Sequence, residues 1–206
     1  MIANEVKRES AARCGKMNRH NVMEEKAHMS ISKLFFAGSG GQGVLLMGQM
    51  LTYAAMLEDK SSTFFPSYGP EMRGGTCNCT VVVSDREVSC PLIYEADYVV
   101  AMNLPSLIKF EPTLKPGGTL LFNKSIVHQN AKRDDINVYD IPANDLATEL
   151  GNPRVANIIM LGALVRITKV VSPAMVEQVI RETFGEKKAA LVDINLQAFN
   201  YWNPGG

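Results

Sequence analysis

The stretch KLFFAGSGGQGVLLMGQMLTYAAMLE, residues 33–58, constrains the fold more than any other part of the chain. A short apolar strand, KLFFA (33–37), runs into the glycine-rich GSGGQG (38–43). A helical segment that is apolar almost all round, VLLMGQMLTYAAMLE (44–58), follows at once. A strand without polar alternation is buried on both faces, and a helix without a polar face is buried as well. A strand, tight turn and helix of this kind open an α/β fold.

The rest of the chain continues the pattern. STFF (62–65) and CNCTVVVS (77–84) read as strands, as does DYVVAMN (97–103), with a helix from PSLIKF carrying Pro105 in its first turn. LKPGG (114–118) reads as a turn before the strand TLLFN (119–123), and INVYDIP (136–142) as the last strand. The remainder is helical. ANDLATELG ends at Gly151 and PRVANIIMLGALVRITKV follows. A helix capped by Ser172 with Pro173 behind it then stops at Gly185, and KKAALVDINLQAFNYW closes the chain. Strands alternating with helices predict a mainly parallel sheet with helices on both faces and a Rossmann-like glycine loop after the first strand. Residues 30–206 form one domain in this reading. Residues 1–29 have few large apolar residues and no sustained period, which predicts a disordered tail. Met17, Met23 and Met29 leave room for a later natural start.

Gly38, Gly40 and Gly43 hold the G-x-G-x-x-G spacing, after a strand and opening a helix. Glycine lets backbone approach a phosphate, and the first helical N–H groups and the dipole favour an anion. Gly38, Ser39, Gly40, Gly41, Gln42 and Gly43 are therefore a candidate anion cradle. The dinucleotide version wants a carboxylate at the end of the second strand. Here none follows until Glu71, while Glu58 and Asp59 sit at the wrong end. Two alternatives stand beside it: a tight βα turn with no ligand, and a class I methyltransferase, whose strand–helix–turn–strand run LKPGGTLLF imitates.

The connection PSYGPEMRGG (66–75) carries more punctuation than a strand connection needs. Gly69, Gly74 and Gly75 permit tight paths, while Pro66 and Pro70 restrict a long loop. Ser67 lies between them. Tyr68 and Met72 offer apolar contact, Glu71 a carboxylate, and Arg73 a fork for a carboxylate or phosphate.

Catalytic equipment is scarce. Cys14, Cys77, Cys79 and Cys90 form no C-x-x-C, and Cys77 and Cys79 alternate along a strand toward one face, so they read as small buried hydrophobes. His20, His28 and His128 are scattered, and no hydrolase, zinc-protease or P-loop motif occurs. Lys plus Arg and Asp plus Glu both total 21, so no global field argues for nucleic acid or a membrane surface. The longest apolar run, VANIIMLGALV, is broken by Asn157 and ended by Arg166, too short for a span of roughly 20 residues. A cytoplasmic location is the expectation. Phe199, Tyr201 and Trp202 suit either an interface or ordinary packing on the sheet, and packing is preferred.

Taken together, FAGSGGQGVLLMGQML and FFPSYGPEMRGGTCNCTVVVSDREVSCPLI closely resemble the gamma subunit of 2-oxoacid:acceptor oxidoreductases, over about residues 31–200. PSYGPEMRGGT is most similar to members of the 2-oxoglutarate:ferredoxin type, with branched-chain 2-oxoacid members next and pyruvate members after them. The resemblance implies oxidative decarboxylation of a 2-oxoacid with coenzyme A, giving an acyl-CoA, CO₂ and electrons for ferredoxin. It implies thiamine diphosphate with Mg²⁺ between alpha and beta subunits, iron–sulfur clusters on partner chains and a ferredoxin-like delta subunit. None of these cofactors is expected on this chain alone, and the isolated chain is expected to be inactive. On this view residues 66–75 dock on the alpha and beta subunits beside the active site, and Gly38 to Gly43 help hold coenzyme A phosphates. The competing reading is that Glu71 and Arg73 only tie the loop to its own domain.

Overall fold

The computed structural model describes residues 30–69, 75–88, 92–185 and 189–204. Six strands form one sheet: β1 (Ile31–Ser39), β2 (Ser61–Tyr68), β3 (Thr76–Ser84), β4 (Ala96–Ala101), β5 (Leu114–Asn123) and β6 (Asn137–Ile141). Their order is β2-β3-β1-β4-β5-β6. The ladders β1–β4, β4–β5 and β5–β6 are parallel, whereas β3 runs antiparallel to both β1 and β2. The chain leaves β1 toward one edge and resumes at β4 on the other side, so a topological switch point lies between the carboxyl ends of β1 and β4. Such crevices are where open α/β sheets bind ligands.

Among the described residues six α-helices complete the domain: α1 (Val44–Leu57), α2 (Leu104–Phe110), α3 (Ala143–Glu149), α4 (Ala156–Thr168), α5 (Pro173–Gly185) and α6 (Ala189–Tyr201). Strand alternation divides the core in two. Leu34, Phe36, Cys79, Val81, Val100 and Leu121 face α1 and α3–α6, while Phe35, Ala37, Val99, Leu120 and Phe122 face α2. Helices thus cover both faces, unequally. Phe199 is fully buried and Trp202 packs against the larger core, in line with the packing reading of the chain end.

Three local expectations change. The second strand continues through Pro66, Ser67 and Tyr68, which pair with Cys79, Asn78 and Cys77, so these residues belong to a hairpin arm. Pro66 is tolerated because β2 is an edge strand, where a missing N–H leaves no gap in the ladder. LKPGG is not a plain turn but the start of β5: Leu114 pairs with Ala96, and the register shifts before Tyr98 meets Thr119. Gly117, at φ +75°, takes up the bulge. Helix α1 is not enclosed all round, since Tyr53 and Met56 are exposed along one edge.

The carboxyl end of α1 is tied to the start of α5. Glu58 caps α1, and its Oε1 accepts the Ser172 N–H at 2.5 Å while Lys60 Nζ lies 2.8 Å from its other oxygen. Burial opposes the charge, but the bonds from Lys60 and Ser172 outweigh it and hold the Glu58 carboxyl below its ordinary range. A carboxyl depressed in the folded state adds stability that is complete above its unfolded value and lost as pH falls through the folded one. Glu58→Gln should therefore lose less stability than the natural chain between pH 7 and pH 3. Urea unfolding at both pH values should show a difference of about 1 kcal/mol.

Candidate functional site

The cleft at the switch point is lined by the turn after β1, the residue after β4 and the starts of α3 and α4. At the end of β1, Gly38 has no room for a side chain: a Cβ would lie 2.7 Å from Gln42 Oε1 and 2.9 Å from Met102 Cβ. The chain then turns through Gly41 at φ +97° and Gly43 at φ +73°, left-handed conformations that favour glycine. Gly43 precedes α1 and is packed against Asn157, whose Nδ2 would stand 2.3 Å from an added Cβ.

Polar side chains fix this turn. Gln42 Oε1 accepts the Ser39 N–H at 2.7 Å, and Gln42 Nε2 donates to the Met102 carbonyl at 3.2 Å. Asn103 donates from Nδ2 to Ser39 Oγ at 2.8 Å and caps α2 by accepting the Ser106 N–H. Gln42 and Asn103 thus staple the ends of β1 and β4 together. The Gly40 N–H is also occupied, by the Gly75 carbonyl at 2.9 Å. Among the described residues, the amides left without a bond at the turn are those of Gly41 and Gly43, together with the opening amides of α1, which have no intrahelical acceptor. A G-x-G-x-x-G spacing suggests six equivalent cradle residues. The fold divides them into a buttress (Gly38, Ser39, Gly40, Gln42) and a donor edge (Gly41, Gly43).

The opposite wall comes from residues that motif reasoning passed over. Helix α3 ends with Gly151 N–H on the Thr148 carbonyl and Asn152 N–H on the Ala147 carbonyl, the paired bonds of a Schellman stop. The chain therefore turns sharply into a single 3₁₀ turn, Pro153–Val155, and on into α4. This brings Arg154, Asn157 and Asn144 to a cleft of 370 Å³ that Gly41, Gln42 and Met102 also line. Arg154 is its one charged lining residue among the described residues and is exposed. Asn157 is 6% exposed and has no hydrogen bond among the described residues. Below Asn144, the fully buried Asn123 donates from Nδ2 to Asn144 Oδ1 at 2.6 Å, and its own Oδ1 lacks a partner.

The site suits an anion. The amino end of α4 opens on it with partial positive charge, the amino end of α1 meets it through the Gly43–Asn157 contact, and Arg154 adds a full charge. The dinucleotide arrangement is ruled out by topology: antiparallel β3 occupies the place beside β1 where a second parallel strand would bring its carboxylate.

Of the loop read at residues 66–75, the structure describes residues 66–69 and Gly75; Pro70, Glu71, Met72, Arg73 and Gly74 lie outside the described residues, as do Cys14, Cys90 and residues 1–29. Gly75 is brought against the glycine turn through Gly40. Burial pushes the Cys77 and Cys79 thiols up, Cys79 most strongly and with a further push from Cys77. Among the described residues no group of three or more His, Cys, Asp or Glu side chains is placed to hold a metal ion. Among the described residues no helix is long and apolar enough to cross a membrane.

Comparison with known proteins agrees with this architecture. The family model described as pyruvate ferredoxin/flavodoxin oxidoreductase matches residues 33–201. The chain is 38% identical over 162 residues to the ketoisovalerate oxidoreductase subunit VorA of Methanothermobacter marburgensis, covering 78% of this chain and 34% of that one. It therefore spans about a third of the length of that relative. It is 35% identical over 170 residues to the 2-oxoglutarate synthase subunit KorC of Methanocaldococcus jannaschii, covering 81% of this chain and 88% of that one. Among solved structures, the 2-oxoglutarate:ferredoxin oxidoreductase from Magnetococcus marinus, with 2-oxoglutarate, coenzyme A and succinyl-CoA bound, superposes with a TM-score of 0.79 at 23% identity. The match covers 84% of this chain and 30% of that one.

Proposed function

Because the chain belongs to the pyruvate ferredoxin/flavodoxin oxidoreductase family, we propose that it is the gamma subunit of a 2-oxoacid:ferredoxin oxidoreductase and that its switch-point cleft holds a phosphate of coenzyme A. The substrate reading is 2-oxoglutarate, with succinyl-CoA, CO₂ and reduced ferredoxin as products. It is supported by the KorC likeness, which spans most of both chains. The observation that carries the cleft assignment is the convergence of Gly41, Arg154 and Asn157, which has no hydrogen bond among the described residues, on one crevice.

In this reading the carbon chemistry belongs to thiamine diphosphate with Mg²⁺ on alpha and beta chains, and electrons leave through clusters on partner subunits. This chain binds and orients. Helix amino ends and Arg154 hold an anion at one end of the co-substrate, leaving the thiol end free to meet an acyl group elsewhere. Such remote binding energy positions the reacting end without a catalytic residue on this chain. The hairpin arm Pro66, Ser67, Tyr68 and Gly69, with Gly75, faces the alpha and beta subunits in the same proposal. The Gly40–Gly75 bond joins that arm to the cradle.

The test is reconstitution. Alpha, beta and delta subunits with this chain should reduce ferredoxin when given 2-oxoglutarate and coenzyme A, and the chain alone should not. Full coenzyme A-dependent turnover by the partners without this chain would end the proposal.

A further inference from the structure

Resting on the reading of the cleft as a coenzyme A site, we infer that it is built for a phosphate monoester, and that Asn157 is the residue that recognises it. A monoester near neutral pH carries close to two charges and three terminal oxygens; a phosphate within a diester chain offers one charge and two. The cleft presents donors from separate elements: the Gly41 amide, unbonded among the described residues, on one side, Asn157 from the amino end of α4 on another, and Arg154 at the rim. Donors from three directions suit three terminal oxygens, and a helix amino end with a guanidinium suits a dianion.

Asn157 carries the argument. It sits in the second position of α4, inside a helix whose residues from Ala156 to Val165 are all buried. Its amide makes no hydrogen bond among the described residues and opens on the cleft, where a ligand can reach it. Its contact with Gly43 places it at the amino end of α1, where an incoming anion would take its Nδ2 hydrogens. The phosphate monoester of coenzyme A is its 3′-phosphate. The inference is that this group, rather than the pyrophosphate, seats in the cleft.

Calorimetric titration of the full chain, free and assembled with its thiamine-binding partners, with coenzyme A and with 3′-dephospho-coenzyme A provides the test. The natural chain should bind coenzyme A about tenfold or more tightly than the dephospho form, the loss expected for charge-assisted hydrogen bonds. Asn157→Leu and Arg154→Gln should each erase most of that preference. The Leu variant should also melt no lower than the natural chain, since the amide it removes bonds to no described residue. A structural role for Asn157 would instead lower the melting temperature. Equal binding of both ligands, unchanged by either substitution, would overturn the inference while leaving coenzyme A in the cleft. No binding of either ligand by chain or complex would overturn the site assignment as well.

Discussion

Gly162→Ala should lower the melting temperature by about 4–8 °C, although alanine is the better helix former. Gly162 lies within α4 where α6 crosses it, and an added Cβ would stand 2.1 Å from the Phe199 carbonyl oxygen and 3.0 Å from its carbon. Both atoms are backbone, so no rotamer change relieves the contact and α6 must move. That movement also breaks the bond from Arg166 Nη1 to the Phe199 carbonyl, now 2.7 Å, and unstacks the Arg166 guanidinium from the Phe199 ring at 5.0 Å. Phe199 is fully buried, so the displaced helix opens the larger core. The overpacking penalty reaches the upper end of its usual range, ~3 kcal/mol, against a propensity gain of ~1 kcal/mol. Differential scanning calorimetry checks it. An unshifted transition would mean that α4 and α6 do not touch backbone to side as described.

The largest effect on function is expected from Gly43→Ala. Two costs coincide there. The left-handed φ of +73° disfavours a side chain by ~1–2 kcal/mol, and the new methyl would meet Asn157 Nδ2 at 2.3 Å. Asn157 must swing away, so the cleft loses that donor and the Gly43 amide shifts with it. Coenzyme A affinity should fall on the order of 100-fold, with a modest loss of stability. Gly41→Ala is the matched comparison. Its φ of +97° carries a similar backbone penalty, but nothing lies within 4 Å of the new methyl. Its effect on affinity should be several-fold smaller. Equal losses for the two variants would show that backbone strain alone matters and that Asn157 does not.

How much of this could be read from the sequence depends on whether the signal was local. KLFFA followed by GSGGQG and an apolar helix places β1, the turn and α1 correctly, because strand burial, glycine geometry and helix period all act within a few residues. The family likeness rests on two such local segments. The antiparallel placement of β3 was not legible, since CNCTVVVS has the same alternation whichever neighbour it pairs with. Pro66 suggested a loop because its tolerance in β2 depends on that strand being an edge, which is a property of the whole sheet. LKPGG looked like a turn because a bulge and a turn use the same residues.

The candidate site divides the same way. Gly38 to Gly43 announce themselves by spacing, but their separation into buttress and donors depends on Gly75, Met102 and Asn103, all distant in sequence. Arg154 and Asn144 gave no signal, as each is an ordinary polar residue beside a helix start. Asn157 did give one. It interrupts VANIIMLGALV, the most apolar run of the chain, and a polar residue there is expensive unless something compensates. Read only as a break in a membrane-span pattern, it was in fact the mark of the cleft.

The most direct measurement is amide hydrogen exchange on this chain within its assembled complex, with and without coenzyme A. The account predicts slower exchange on binding in two separated segments, Gly41 to Leu46 and Arg154 to Asn157, with the β6 edge unchanged. Saturating coenzyme A that leaves both segments unaltered would contradict it.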